Sequence, residues 1–206
     1  MKSKFLTSAL VLLTLVFANA QAATKSAEDV VREAIQQVTD KLVAEKALLA
    51  SNPDQVFNVI QDLVVPHFDF PIISRLVLGK NTWRDASEAQ REEFMGEFTM
   101  LLVRTYAKAL QQYSDEEITV LSTESNPSSN MVEVRTEVSG KAGSTATPIY
   151  YRMHISGEEW KVLDLVVDGI SLVNSYRGEY SSIVRKDGLD GLIARMKQKN
   201  ANVSTE

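Results

Sequence analysis

The sequence predicts an α+β domain in which helices pack on the concave face of a curved, four-stranded antiparallel sheet. Three observations carry that prediction. Apolar residues recur with a helical period up to about residue 113, the period switches to two between about 117 and 167, and a helical period returns from about 171. Helices, then a meander, then helices again is a layered arrangement with one shared core.

The chain opens with Lys2 and Lys4, an apolar run over Ala9–Ala18, and the small-residue string ANAQAA. This reads as a secretory signal peptide over 1–22, cleaved after Ala22 with Ala20 as the rival position. The run is shorter than the roughly 20 residues that span a bilayer, and no stop-transfer stretch follows it. The sequence contains no cysteine, which excludes a thioether lipid anchor and leaves packing to stabilise an exported fold.

Residues 23–200 are enough for a single domain with a real core, followed by a tail over 201–206 expected to be disordered. The 27 Asp plus Glu outnumber the 22 Lys plus Arg. Losing two lysines with the leader takes the net charge from −5 to about −7. An acidic surface excludes nucleic acid as a partner and disfavours spontaneous adhesion to anionic membranes.

Ser26 and Asp29 have capping-box spacing ahead of Val31, Ile35, Val38, Leu42 and Leu49, which predicts one amphipathic helix over about 27–50. Asn52 is positioned to cap a second helix, with Pro53 in its first turn and Val56, Phe57, Ile60 and Leu63 turned inward until Pro66. A short helix follows from Phe70 or Pro71 to Gly79. Ser87 and Gln90 then open the strongest helix, about 87–113, carrying Phe94, Phe98, Leu101, Leu102, Thr105, Tyr106, Ala109, Leu110 and Tyr113 on an arc wide enough to face two layers.

Two strands have one apolar face each. Val132, Val134, Thr136 and Val138 alternate with charged residues, and Ile149, Tyr151, Met153 and Ile155 alternate with Tyr150, Arg152 and His154. Residues 160–167 are apolar at both parities and read as a central strand; a weaker strand occupies 117–123. Helices over about 171–186 and 189–199 close the domain, with Asp190 as a candidate cap.

Several groups invite a chemical reading. His67 and Asp69 could be taken for metal ligands, but with no cysteine and only two histidines in the chain they read as solvated loop residues. His154, Tyr150 and Asp164 share a predicted face and could assemble as an acid–base set of a small isomerase-like enzyme, the alternative function. No GxSxG elbow supports a lipase, and no phosphate-binding loop supports an ATPase. Arg75, Arg84, Arg91 and Arg104 are candidates for a phosphate head group, although arginines at helical spacing more commonly form a solvated face. A periplasmic chaperone is a third reading without a motif behind it.

An ordered set of strings decides between these. Val77-Leu78-Gly79, Ala86-Ser87 with Gln90-Arg91 and Phe94, the series Tyr106, Ala109, Leu110 and Tyr113, then Asp164, Asp168-Gly169-Ile170-Ser171 and Gly188-Leu189-Asp190-Gly191-Leu192 together resemble the MlaC-type family of periplasmic phospholipid carriers, also known through toluene-tolerance proteins. The resemblance implies a nuclear-transport-factor-like cup with an apolar cavity for acyl chains, no catalysis and no cofactor. It also implies two partners: an outer-membrane lipoprotein complex, and an inner-membrane ABC transporter with its substrate-binding ring. Each methylene left in water costs about 0.8 kcal/mol, so two sixteen-carbon chains would cost on the order of 25 kcal/mol without such a cavity. The apolar arcs nominate Val77, Phe94, Phe98, Leu102, Tyr106, Tyr151, Met153, Leu163 and Leu165 as lipid contacts.

Overall fold

A computed structural model describes residues 25–111, 116–125, 129–140 and 145–202. The leader, Tyr113 and the last four positions of the expected tail lie outside the described residues. Residues 201 and 202, assigned to that tail, continue the final helix instead.

Helix α1 (Ala27–Ala44) starts on the capping box read from the sequence: Ser26 Oγ accepts from the Asp29 amide, and the Asp29 carboxylate accepts from the Ser26 amide. The single helix expected over 27–50 is two. The backbone breaks at Glu45 (φ −111°, ψ 18°), and α2 (Lys46–Ser51) continues beyond it. Residues 43–48 contain Val43 and Leu48, both exposed, so the apolar stripe loses its burial partner at the break. In α3 (Pro53–Leu63), Pro53 occupies the first turn as expected, but Asn52 makes no side-chain cap. Pro66 lies in a 3-10 turn, Val65–His67. Asp69 Oδ1 then accepts from the Ile72 amide to cap α4 (Phe70–Leu78), which Gly79 ends at φ 78°.

Helix α5 (Lys80–Asp85) was hidden from sequence reading because its only large apolar residue is Trp83. Helix α6 (Glu88–Gln111) opens on the reciprocal Ser87–Gln90 box, with bonds of 3.0 and 3.2 Å. Helix α7 (Leu172–Asn202) joins the two C-terminal helices expected from the sequence, with a break at Gly188 (φ 73°, ψ 176°) between them.

Strands β1 (Glu117–Ser125), β2 (Met131–Ser139), β3 (Thr147–Ser156), β4 (Glu159–Val167) and β5 (Ile170–Ser171) form one antiparallel sheet in the order 1-2-3-4-5. The fifth strand, absent from the sequence reading, is a two-residue stub. Asp168 (φ 49°) and Gly169 (φ 78°) both take the left-handed region, folding β5 back on β4. Bulges interrupt the β1–β2 register at Val120/Ser122 and the β3–β4 register at Arg152/Met153. An extra residue bends its strand and adds twist, which curves this sheet into a cup.

Three apolar clusters form rather than one. The first joins α4, α6 and α7 around Phe94, Phe98, Val77 and Leu192. The second joins α1, α2, α3 and the distal part of α6 around Val56, Ile60 and Val103. The third seats Ala27 and Val31 of α1 on Val134, Met153 and Val162 of the sheet. Phe68 touches the first and third clusters, and its backbone bridges to Val162 beside β4.

Gly188→Ala should destabilise the protein by about 1–3 kcal/mol, because a Cβ is strained at that backbone angle. Thermal denaturation of the two proteins checks this, and an unchanged midpoint would contradict it. Burial, with help from Lys161, holds the His67 imidazole below its ordinary value. The unfolded chain therefore takes up this proton at higher pH than the native one, so the stability linked to His67 is intact above the ordinary imidazole range and lost as pH falls through it. His67→Gln should flatten the fall in stability between about pH 7 and 5. Urea unfolding at each pH measures it; parallel curves would sink the assignment.

Candidate functional site

Alternation along the strands gives the sheet two different faces. Val132, Val134, Tyr151, Met153, Val162 and Leu165 share the face that meets α1. The other face carries a chain of charges: Glu133 Oε1 accepts from Arg135 at 3.0 Å, Glu133 Oε2 from Arg152 at 3.3 Å, and Asp164 Oδ2 from Arg152 at 3.2 Å.

Asp164 is the buried end of that chain. Its Oδ2 also accepts from Ser171 Oγ at 2.6 Å, and its Oδ1 from the Val173 amide at 3.0 Å, at the first turn of α7. Ser171 Oγ in turn accepts from the Asn174 amide at 3.1 Å. The carboxylate is thus fully engaged in joining β3, β4, β5 and α7.

This arrangement does not build the acid–base set considered from the sequence. His154, Tyr150 and Asp164 share a face, but Arg152 lies between the first two and directly opposite Asp164, and it takes the carboxylate. His154 Nε2 pairs with Asp69 Oδ2 at 2.9 Å, and Tyr150 lies under the Arg135 guanidinium at 5.1 Å. Asp69 is buried, so the solvated-loop reading of that residue fails: it caps α4 and tethers β3. Among the described residues no cluster of metal-binding side chains occurs.

The arginines nominated for a head group have other work. Arg84 pairs with Asp85 at 2.8 Å, Arg91 donates to the Trp83 and Arg84 carbonyls and covers the Trp83 ring, and Arg104 donates to the Asn200 carbonyl. Arg75 is exposed.

Of the nine residues nominated as lipid contacts, Val77, Phe94, Phe98, Met153 and Leu163 are buried against protein. Phe94 and Phe98 stack on each other at 5.6 Å and meet Tyr180 edge-on. Leu102, Tyr106, Tyr151 and Leu165 keep accessible surface. Tyr151 is the most informative of them. Burial pushes its phenol up, yet it remains half-buried rather than closed over by protein. Its hydroxyl bonds to Thr136, whose own Oγ1 donates to the Ile149 carbonyl at 2.9 Å, so the phenol oxygen is held by the neighbouring strand. Thr136 was read from the sequence only as a member of the apolar face. Its burial and its two bonds make it the support of the phenol.

The acid–base set is not assembled, and Leu102, Tyr106, Tyr151 and Leu165 keep accessible surface. The family model for MlaC protein matches residues 32–198. The chain belongs to the MlaC family. A relative from Haemophilus influenzae, the intermembrane phospholipid transport system binding protein MlaC, is 27% identical over 170 residues, covering 80% of this chain and 79% of its own. A toluene tolerance protein of Pseudomonas putida is 26% identical over 202 residues, covering 94% and 93% respectively. The solved structure of a phospholipid-binding protein from Ralstonia solanacearum in complex with a phospholipid superposes with a TM-score of 0.80 at 25% identity, over 88% of this chain and all of that one. The Haemophilus influenzae protein is named for binding and transport and the Ralstonia solanacearum protein for binding, in agreement with the expectation that the chain is not an enzyme. No described helix is long and apolar enough to cross a membrane.

Asp164→Ala would leave the Val173 amide, Ser171 Oγ and Arg152 without their shared acceptor, and should cost about 3 kcal/mol or more. His154→Ala should cost less, since it loosens a single contact. Urea denaturation of both variants tests the ranking, and a milder Asp164 effect would overturn the role given to that carboxylate.

Proposed function

We propose that this protein is a periplasmic phospholipid carrier that holds acyl chains in the hollow beside Tyr151 and leaves the head group outside. It shuttles lipid between an outer-membrane lipoprotein complex and the substrate-binding ring of an inner-membrane ABC transporter. The observation that carries the reading is the Ralstonia solanacearum protein, which shares the fold over its whole length and holds a phospholipid. The leader-like residues 1–22 support export, and the acidic surface supports delivery through docked partners rather than direct adhesion to anionic lipid.

The contacts proposed for the chains are Leu102, Tyr106, Tyr151 and Leu165, the nominated residues with surface to offer. Val77, Phe94, Phe98, Met153 and Leu163 shape the walls behind them. Moving a lipid from bilayer to hollow exchanges one hydrocarbon environment for another, so the transfer is near balance and partner affinities or remote ATP hydrolysis set its direction.

Protein purified without detergent should yield about one two-chain phospholipid per molecule on organic extraction and mass spectrometry. Leu102→Glu should reduce the recovered lipid at least tenfold while circular dichroism stays native, whereas Phe98→Glu, at a fully buried site, should unfold the protein. The absence of lipid from wild type, together with failure of the stripped protein to extract it from vesicles, would overturn the reading.

A further inference from the structure

Both histidines of the chain meet one short segment, residues 66–69. His67 ends the 3-10 turn, and His154 of β3 pairs with Asp69 at 2.9 Å. Between them stands Phe68, half-buried and stacked on Phe70 with ring centres 5.8 Å apart. Phe68 packs on the α4–α6–α7 cluster and on the sheet cluster alike, so it spans the seam between them. Leu102 packs on the helical side of that seam, and Tyr151 and Leu165 on the sheet side. The segment is laced to β4 by a few bonds. Lys161 Nζ donates to the Pro66 carbonyl at 2.8 Å, the Asp69 amide to the Val162 carbonyl at 3.0 Å, and the Phe68 amide to the Val65 carbonyl at 3.1 Å. The other joint between sheet and helices, Asp164 with Ser171 and the Val173 amide, contains no histidine.

The two histidines answer acid in opposite senses. A proton on His154 charges its bond to Asp69 and strengthens it. His67 is acted on through space by Lys161 and Glu159 of β4, Glu33 of α1 and Lys25 just ahead of α1. Burial first, and Lys161 next, disfavour its charged form, and the two carboxylates offset them only in part. Protonated His67 is therefore better placed in water than beside the ammonium that also holds the Pro66 carbonyl. Leaving that seat takes up a proton, so it becomes easier as pH falls through the ordinary imidazole range.

We propose that residues 65–68 form an acid-released clasp across this seam, which swings Phe68 outward from the Asp69–His154 anchor and speeds phospholipid exchange as pH falls. The effect on lipid rests on the carrier reading, because Phe68 joins the two groups of side chains proposed as acyl contacts. The opening of the clasp does not depend on that reading.

Two measurements test it. Hydrogen exchange at the His67 and Phe68 amides, corrected for the intrinsic rate, reports opening without lipid. Protection there should fall roughly three- to tenfold between about pH 7.5 and 5.5, the range that uptake of one proton allows. Release of a fluorescent phospholipid from the loaded protein to phosphatidylcholine vesicles, whose charge is constant over that range, should accelerate by a similar factor. His67→Gln should hold both quantities level, with His67→Asn as the substitute if that variant does not fold. His154→Gln, whose amide can still bond Asp69, should keep both responses. Level protection in wild type, a fall that survives in His67→Gln, or its loss in His154→Gln overturns the clasp. Level release from loaded wild type overturns its link to lipid. A protein that loads no phospholipid while its protection falls would instead remove the carrier reading and leave the clasp standing.

Discussion

The buried carboxylate of Asp164 is the constraint on which the relation between sheet and helices depends. One side chain accepts from β3, from β5 and from the first turn of α7. A buried charge is tolerable only when its lone pairs are used, so the three donors must be present together. That requirement fixes where α7 leaves the sheet. Because α7 packs on both α4 and α6, the placement of the whole first cluster follows. Farther along β4, Asp69 does a similar job for α4 by capping the helix and holding His154.

Among the described residues the apolar side chains divide into three clusters, one of them where α1 lies on the middle strands of the sheet. A domain of this size could have formed one continuous core. Instead Leu102, Tyr151 and Leu165 retain surface in positions that packing alone would have closed. Stability comes from the clusters and from the polar joints between elements.

Much of this was legible in the sequence, and the failures have physical causes. Both capping boxes, the stop at Gly79 and the face assignment of β2 and β3 follow from local spacing, which the backbone obeys directly. The break at Glu45 was not legible because Val43 and Leu48 continue the apolar stripe into solvent. The β5 stub was too short to show a period, although Asp168-Gly169 is a hairpin signal. At the candidate site the sequence could nominate apolar arcs, but it could not tell wall from lining: Phe94 and Leu102 belong to the same helical arc, and only their neighbours in α7 separate them.

The two bulges carry a consequence for how such a vessel could be resized. Each adds backbone to one side of a strand pair without adding any to the other, much as unequal expansion bends a bimetallic strip. Leu121 and Leu163 are the residues so inserted. Shifting either insertion along its strand would move the bend and turn over only the side chains it passes. Capacity could therefore drift among descendants of one gene while the helices, their caps and the Asp164 joint stay as they are.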